Sequence, residues 1–74
     1  MANAVKIVAR MRDNPRDWRI GDLNVVARHY GIEWRQKGTS HVVFSRKDGR
    51  ILVVPVARPI RPVYVRQFIR LLGE

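Results

Sequence analysis

The sequence predicts an α+β fold: a three-stranded antiparallel sheet with its helices packed on one face. Three observations point there. Apolar residues recur at helical spacing in two N-terminal segments and again near the C-terminus. Between them lie three short runs of strand length, rich in Val, Ile, Phe and Trp. Glycine or proline punctuates the junctions between these segments.

Taken in order, residues Asn3 to about Arg12 read as a first helix, with Ala4, Ile7, Val8 and Met11 on one stripe. Asn3 is placed as an N-cap, and Asn14-Pro15 stops the helix. A second helix is expected from Asp22 to Tyr30, where Leu23, Val26, Ala27 and Tyr30 give the i, i+3, i+4, i+7 pattern. Gly31 is placed to end it in the left-handed conformation, and the Asp22 charge suits its first turn.

The first strand, Ile32 to Lys37, has Ile32 and Trp34 on one side, which marks Trp34 as core. His41 to Ser45 puts Val42 and Phe44 on one face and His41, Val43 and Ser45 on the other. Asp48-Gly49 is a strong hairpin signal, so Ile51 to Val54 is the third strand of a meander, ended by Pro55. Ala57 to Pro62 is a stiff connector. The last helix covers Pro62 to Leu72, with Pro62 in its first turn and Val65, Phe68, Ile69 and Leu72 as its stripe.

A chain of 74 residues has room for one modest core. Such a domain buries only about 60% of the surface its unfolded chain exposes and is marginal without help. It has no cysteine, two histidines (His29 and His41) and six Asp and Glu, so disulfides are excluded and neither a metal nor another cofactor is expected. A partner subunit is the remaining common helper. No apolar run approaches the roughly 20 residues that span a bilayer, and the N-terminus lacks the charged-then-apolar order of a signal peptide. A cytoplasmic protein without membrane attachment is expected.

The formal net charge is +9, with eight of the fifteen Lys and Arg in 1–37 and seven in 38–74. This is a basic domain rather than a basic tail. Polyanions are its natural partners, because neutralising phosphates releases condensed counterions.

Sequence and chemistry meet at Lys37-Gly38-Thr39-Ser40-His41. Gly38 permits a tight turn and a close approach by a phosphate backbone. Thr39 and Ser40 offer hydroxyls and backbone N–H groups, and Lys37 a charge. His41 opens a strand on the face opposite Val42 and Phe44. RNA is cleaved without metal when its 2′-hydroxyl attacks the neighbouring phosphorus, and imidazole titrates in the range that proton transfer needs. Lys37 and the turn N–H groups are suited to the charge that develops on the phosphoryl oxygens. Spacing does not reveal the group that protonates the leaving oxygen. A lone outward histidine at a strand start is otherwise an ordinary surface residue, the role expected of His29 on the flank of its helix.

The order α-α-β-β-β-α contains the α-β-β-β-α layout of double-stranded-RNA-binding domains, behind an extra N-terminal helix. Lys37-Gly38-Thr39-Ser40-His41-Val42-Val43-Phe44 resembles the Gly-(x)-Ser-His-x-x-Phe signature of the HicA toxins of bacterial and archaeal HicA–HicB toxin–antitoxin pairs. The resemblance continues through Asp48-Gly49, Val53-Val54-Pro55 and Pro59 to Gln67. Asn14-Pro15, Asp22-Leu23 and Tyr30-Gly31-Ile32 are similar to longer members with an extra N-terminal helix. It implies one domain over 1–74, with 1–18 the extra helix and connector and 19–74 the α-β-β-β-α unit. It also implies an mRNA interferase, an endoribonuclease whose catalytic histidine matches His41. A HicB-type antitoxin would cover that residue, the toxin alone being monomeric and forming a hetero-oligomer with the antitoxin. The chain departs from the pattern in two places. Thr39 lengthens the turn relative to members with Gly directly before Ser-His, and Ile51-Leu52-Val53-Val54 leaves the outer face of the third strand apolar.

The expected RNA contacts are Lys37, Gly38, Thr39, Ser40, Arg46, Lys47, Arg58, Arg61 and Arg66. Arg58, Arg61 and Arg66 form a basic patch at the last helix, extended by Arg70. Arg46, Lys47 and Arg50 flank the hairpin tip, where they equally serve as charges guarding an exposed turn. Trp18 is expected to staple the second helix to the domain. Two other classes remain open: a non-catalytic RNA-binding module, and an inert protein held by an acidic partner.

Overall fold

The computed structural model describes residues 4–38 and 40–73. In chain order the elements are α1 (Ala4–Asp13), α2 (Ile20–His29), β1 (Glu33–Lys37), β2 (His41–Ser45), β3 (Ile51–Pro55) and α3 (Pro62–Leu71). The strands form an antiparallel sheet in the order β1-β2-β3, so the architecture is α+β.

α1 buries Ala4, Val8 and Met11, the stripe its spacing predicts. The Asn3 cap lies outside the described residues. α2 begins two residues earlier than expected, because it is capped from within. The Asp22 carboxylate reaches back to accept the Arg19 backbone N–H at 3.0 Å. Its other end is as predicted: Gly31 has φ +71°, Gly31 N–H donates to Arg28 O at 3.3 Å and Ile32 N–H to Ala27 O at 2.8 Å. That paired closure satisfies the last carbonyls and turns the chain into β1, with Ile32 already buried.

The register sets two faces. Trp34, Phe44 and Leu52 lie in one cross-strand row, and Gln36, Val42 and Val54 in the next. These rows face the helices; Val42, Phe44 and Val54 are buried and Trp34 and Leu52 half-buried. The alternate rows face outward: Lys37–His41–Pro55, Arg35–Val43–Val53 and Glu33–Ser45–Ile51. Pro55 is paired rather than merely terminal, tolerated because β3 is an edge strand. The β2–β3 hairpin closes with Arg46 N–H donating to Arg50 O at 2.8 Å and Gly49 N–H to Arg46 O at 3.1 Å. Gly49 has φ +94°, as a three-residue loop ending in a left-handed residue requires.

α3 buries Val65, Phe68, Ile69 and Leu71, whereas the spacing predicts Leu72, which is half-buried. α3 packs against both β3 and α1, so its apolar arc is wider than a one-sided stripe and takes in Leu71. Phe44 and Phe68, both fully buried, meet edge to face at 5.0 Å between centroids. Trp18 ties the helices to the connector as expected: Ile60 N–H donates to Trp18 O at 2.8 Å and the indole N–H to Asn14 O at 2.7 Å. Ile60 is fully buried beneath this junction.

Phe44→Ala is expected to lower unfolding free energy by about 3–5 kcal/mol, since it removes the ring that joins sheet to helix. Urea unfolding followed by far-UV circular dichroism checks it, with a surface control at Val5, which is 58% exposed.

Candidate nucleic-acid interface

β1 ends and β2 begins at one end of the sheet, where Lys37 and His41 face each other in register. Gly38, Thr39 and Ser40 span the turn between them. Gly38 adopts φ +67°, a left-handed conformation that suits the tight turn expected there, and a Cβ would meet nothing within 4 Å. Thr39 lies outside the described residues. Ser40 is anchored on its backbone side, its carbonyl accepting the Val56 N–H at 2.7 Å. Its hydroxyl Oγ lies 2.9 Å from His41 Nδ1. The imidazole is exposed on the helix-free face of the sheet.

Among the described residues His41 Nε2 has no hydrogen-bond partner, and a hydroxyl can serve either tautomer at Nδ1. When Nδ1–H donates to Oγ, Nε2 presents a lone pair. When Oγ–H donates to Nδ1, Nε2 carries the proton. The pair can therefore accept or deliver a proton at Nε2.

The same end of the molecule carries half of the predicted basic residues. Arg58 and Arg61 follow β3 and line adjoining clefts that share Ala57. Lys37, Gly38, Ser40, His41, Arg58 and Arg61 are thus brought to one rim. Arg66 is exposed but midway along α3. Arg46 and Lys47 lie beyond the other end of β2, so the structure does not bring them to His41. Arg46 has a packing task there: its Nη1–H donates to Leu71 O at 2.8 Å, and its Nε lies 3.6 Å from Asp48 Oδ2. A cation at the last carbonyls of α3 also complements the helix dipole.

No protein family, curated protein or solved structure matches this chain. Its chemistry is accordingly read from the residues themselves. Among the described residues no group of three or more His, Cys, Asp or Glu could hold a metal ion, and no helix is long and apolar enough to cross a membrane. His29 is exposed and packs edge to face on Tyr30 at 5.3 Å, in keeping with a surface role. Trp34 is half-buried against the core, with the Arg28 guanidinium 5.8 Å from its ring centroid. Sequence reasoning passed over Arg19, which lines one cleft together with Arg58. No local signal marks it, because only the docking of α2 near the β3–α3 connector makes the two arginines line a common cleft.

Gly38→Ala is expected to cost about 1–2 kcal/mol through backbone strain alone, since the site has space for the methyl group. Thermal unfolding should show a midpoint lower by about 4–8 °C per kcal/mol. Arg46→Ala should lose about 1 kcal/mol of stability, measured in the same thermal unfolding experiment.

Proposed function

We propose that this chain is a HicA-type toxin, an endoribonuclease that cleaves mRNA without metal and is held inactive by a HicB-type antitoxin. In this reading the α-β-β-β-α unit after α1 is a double-stranded-RNA-binding-type fold. The observation that carries the reading is His41 itself. It is exposed on an open sheet face, hydrogen-bonded at Nδ1 to Ser40 and in register with Lys37, on a chain with net charge +9.

The chemistry follows from that arrangement. Nε2 of His41 takes the proton of the RNA 2′-hydroxyl as O2′ attacks phosphorus. The O2′–P bond forms and the P–O5′ bond breaks, leaving a cyclic phosphate and a 5′-hydroxyl that takes its proton from solvent. Lys37, with the N–H groups of the turn, faces the charge gathering on the phosphoryl oxygens. Ser40 positions the ring. Val43, Val53 and Ile51 give the sheet face that carries His41 an apolar stretch running toward the hairpin, with Val53 45% and Ile51 65% exposed, and this is the surface we assign to the antitoxin.

The test is cleavage of RNA by purified protein in EDTA. His41→Ala should lower the rate by about 10²–10⁴ while far-UV circular dichroism and RNA binding are retained. Ser40→Ala removes one orienting hydrogen bond of about 1 kcal/mol and should slow cleavage roughly five- to tenfold. Equal cleavage by wild type and His41→Ala removes His41 from the mechanism. RNA binding without cleavage by the wild type identifies a binding module instead.

A further inference from the structure

On the helix side of the sheet, directly behind the His41 rim, the start of α2 and the β3–α3 connector enclose an open cleft. It is lined by Arg19, Gly21, Asp22, Gln36, Val42 and Arg58, among others. Gln36 and Val42 are paired neighbours of Lys37 and His41, one step along the strands and on the opposite face. The cleft and the imidazole are therefore back to back across the end of one sheet.

Its charges are arranged for an anion. Arg19 and Arg58 are both exposed and come from separate segments, and among the described residues neither guanidinium is ion-paired. Asp22 is the one carboxylate in the lining, and it already accepts the Arg19 backbone N–H. Two arginines lining one cleft put like charges on its walls, which an anion between them would offset, and forked donors match the oxygens of a phosphodiester. Gln36 adds an uncharged donor. Gly21 keeps the wall low: a Cβ there would meet nothing within 4 Å.

We infer that this cleft is a second phosphate subsite, in which Arg19 and Arg58 hold a backbone phosphate of the RNA flanking the phosphate presented to His41. The inference rests on the RNA-cleaving reading of His41 and adds the path of the strand, which wraps over the sheet end from the open face to the helix side. Arg19 and Arg58 are positioning residues, since neither reaches the reacting atoms.

The experiment measures binding of a short 5′-fluorescein single-stranded RNA by anisotropy at several salt concentrations, with His41→Ala as the uncleaving parent. Added to that parent, Arg19→Gln and Arg58→Gln should each weaken binding about tenfold. The double change should lower the slope of log K against log salt by about 0.7, the value for one single-strand phosphate. Gly21→Glu, an acidic first-turn residue that favours the helix, should weaken binding similarly with thermal stability unchanged or raised. Arg50→Gln, the same charge loss at the far hairpin, should change affinity less than about twofold. With His41 intact, Arg19→Gln and Arg58→Gln should raise KM and leave kcat near the wild-type value.

Unchanged binding in the cleft variants overturns the subsite, as does equal weakening by Arg50→Gln. Loss of binding in the cleft variants of a protein whose wild type does not cleave would keep the subsite and discard the catalytic reading. A parent that binds no RNA at all overturns both.

Discussion

Everything that positions this site depends on which way β2 faces. Phe44 and Phe68 meet edge to face in the centre of the core, and Val42 is buried one step away on the same side of the strand. Side chains alternate along a strand, so seating Phe44 inward turns His41, Val43 and Ser45 outward without further specification. A slip of one residue would bury His41 and expose Phe44, which the burial of two aromatic rings forbids. The exposure of the imidazole is thus a consequence of core packing, and a stringent one.

The core is small, and its boundary is held by polar links at both ends of the sheet. At the hairpin end Arg46 joins the β2–β3 loop to the last carbonyls of α3. At the His41 end the Ser40 carbonyl holds Val56, while Ile60 N–H holds Trp18 O. The second set matters more to function. It draws the connector that carries Arg58 and Arg61 against the turn that carries Lys37 and His41, and sets Arg19 beside them. Arg19, Lys37, Arg58 and Arg61, scattered along the sequence, are thereby brought to one end of the sheet, and Arg46, Lys47 and Arg50 are left at the other. The far group includes Arg46, which is engaged in holding the fold. Concentrating cations on one rim disfavours the folded state slightly through repulsion, and a bound polyanion reverses that sign.

Much of this was legible from residue order alone. The β2 alternation, the left-handed Gly31, the tight turn at Gly38, Pro62 at the start of α3 and the outward placement of His41 all follow from local stereochemistry. The start of α2 was misplaced because Arg19 is no usual capping residue and the cap comes from Asp22 inside the helix. Leu71 was missed because the spacing rule assumes one buried side, whereas α3 is covered by both β3 and α1. The basic site was legible in part. Lys37, Arg58 and Arg61 share an end of the sheet with His41, while Arg46 and Lys47 are carried to the opposite end of β2.

By itself, then, the sequence determined the elements, the inward and outward sets of each strand, the net charge and the residue type available for proton transfer. These are properties of nearest neighbours along the chain: alternation, helical spacing, allowed backbone angles and composition. Only the tertiary structure decided which cations share an end with His41, which one is spent on the α3 carbonyls, and that Arg19 and Arg58 face a common cleft. Those pairings join residues far apart in sequence. They are set by how α2, α3 and the connector pack over the sheet, and no local pattern encodes that geometry.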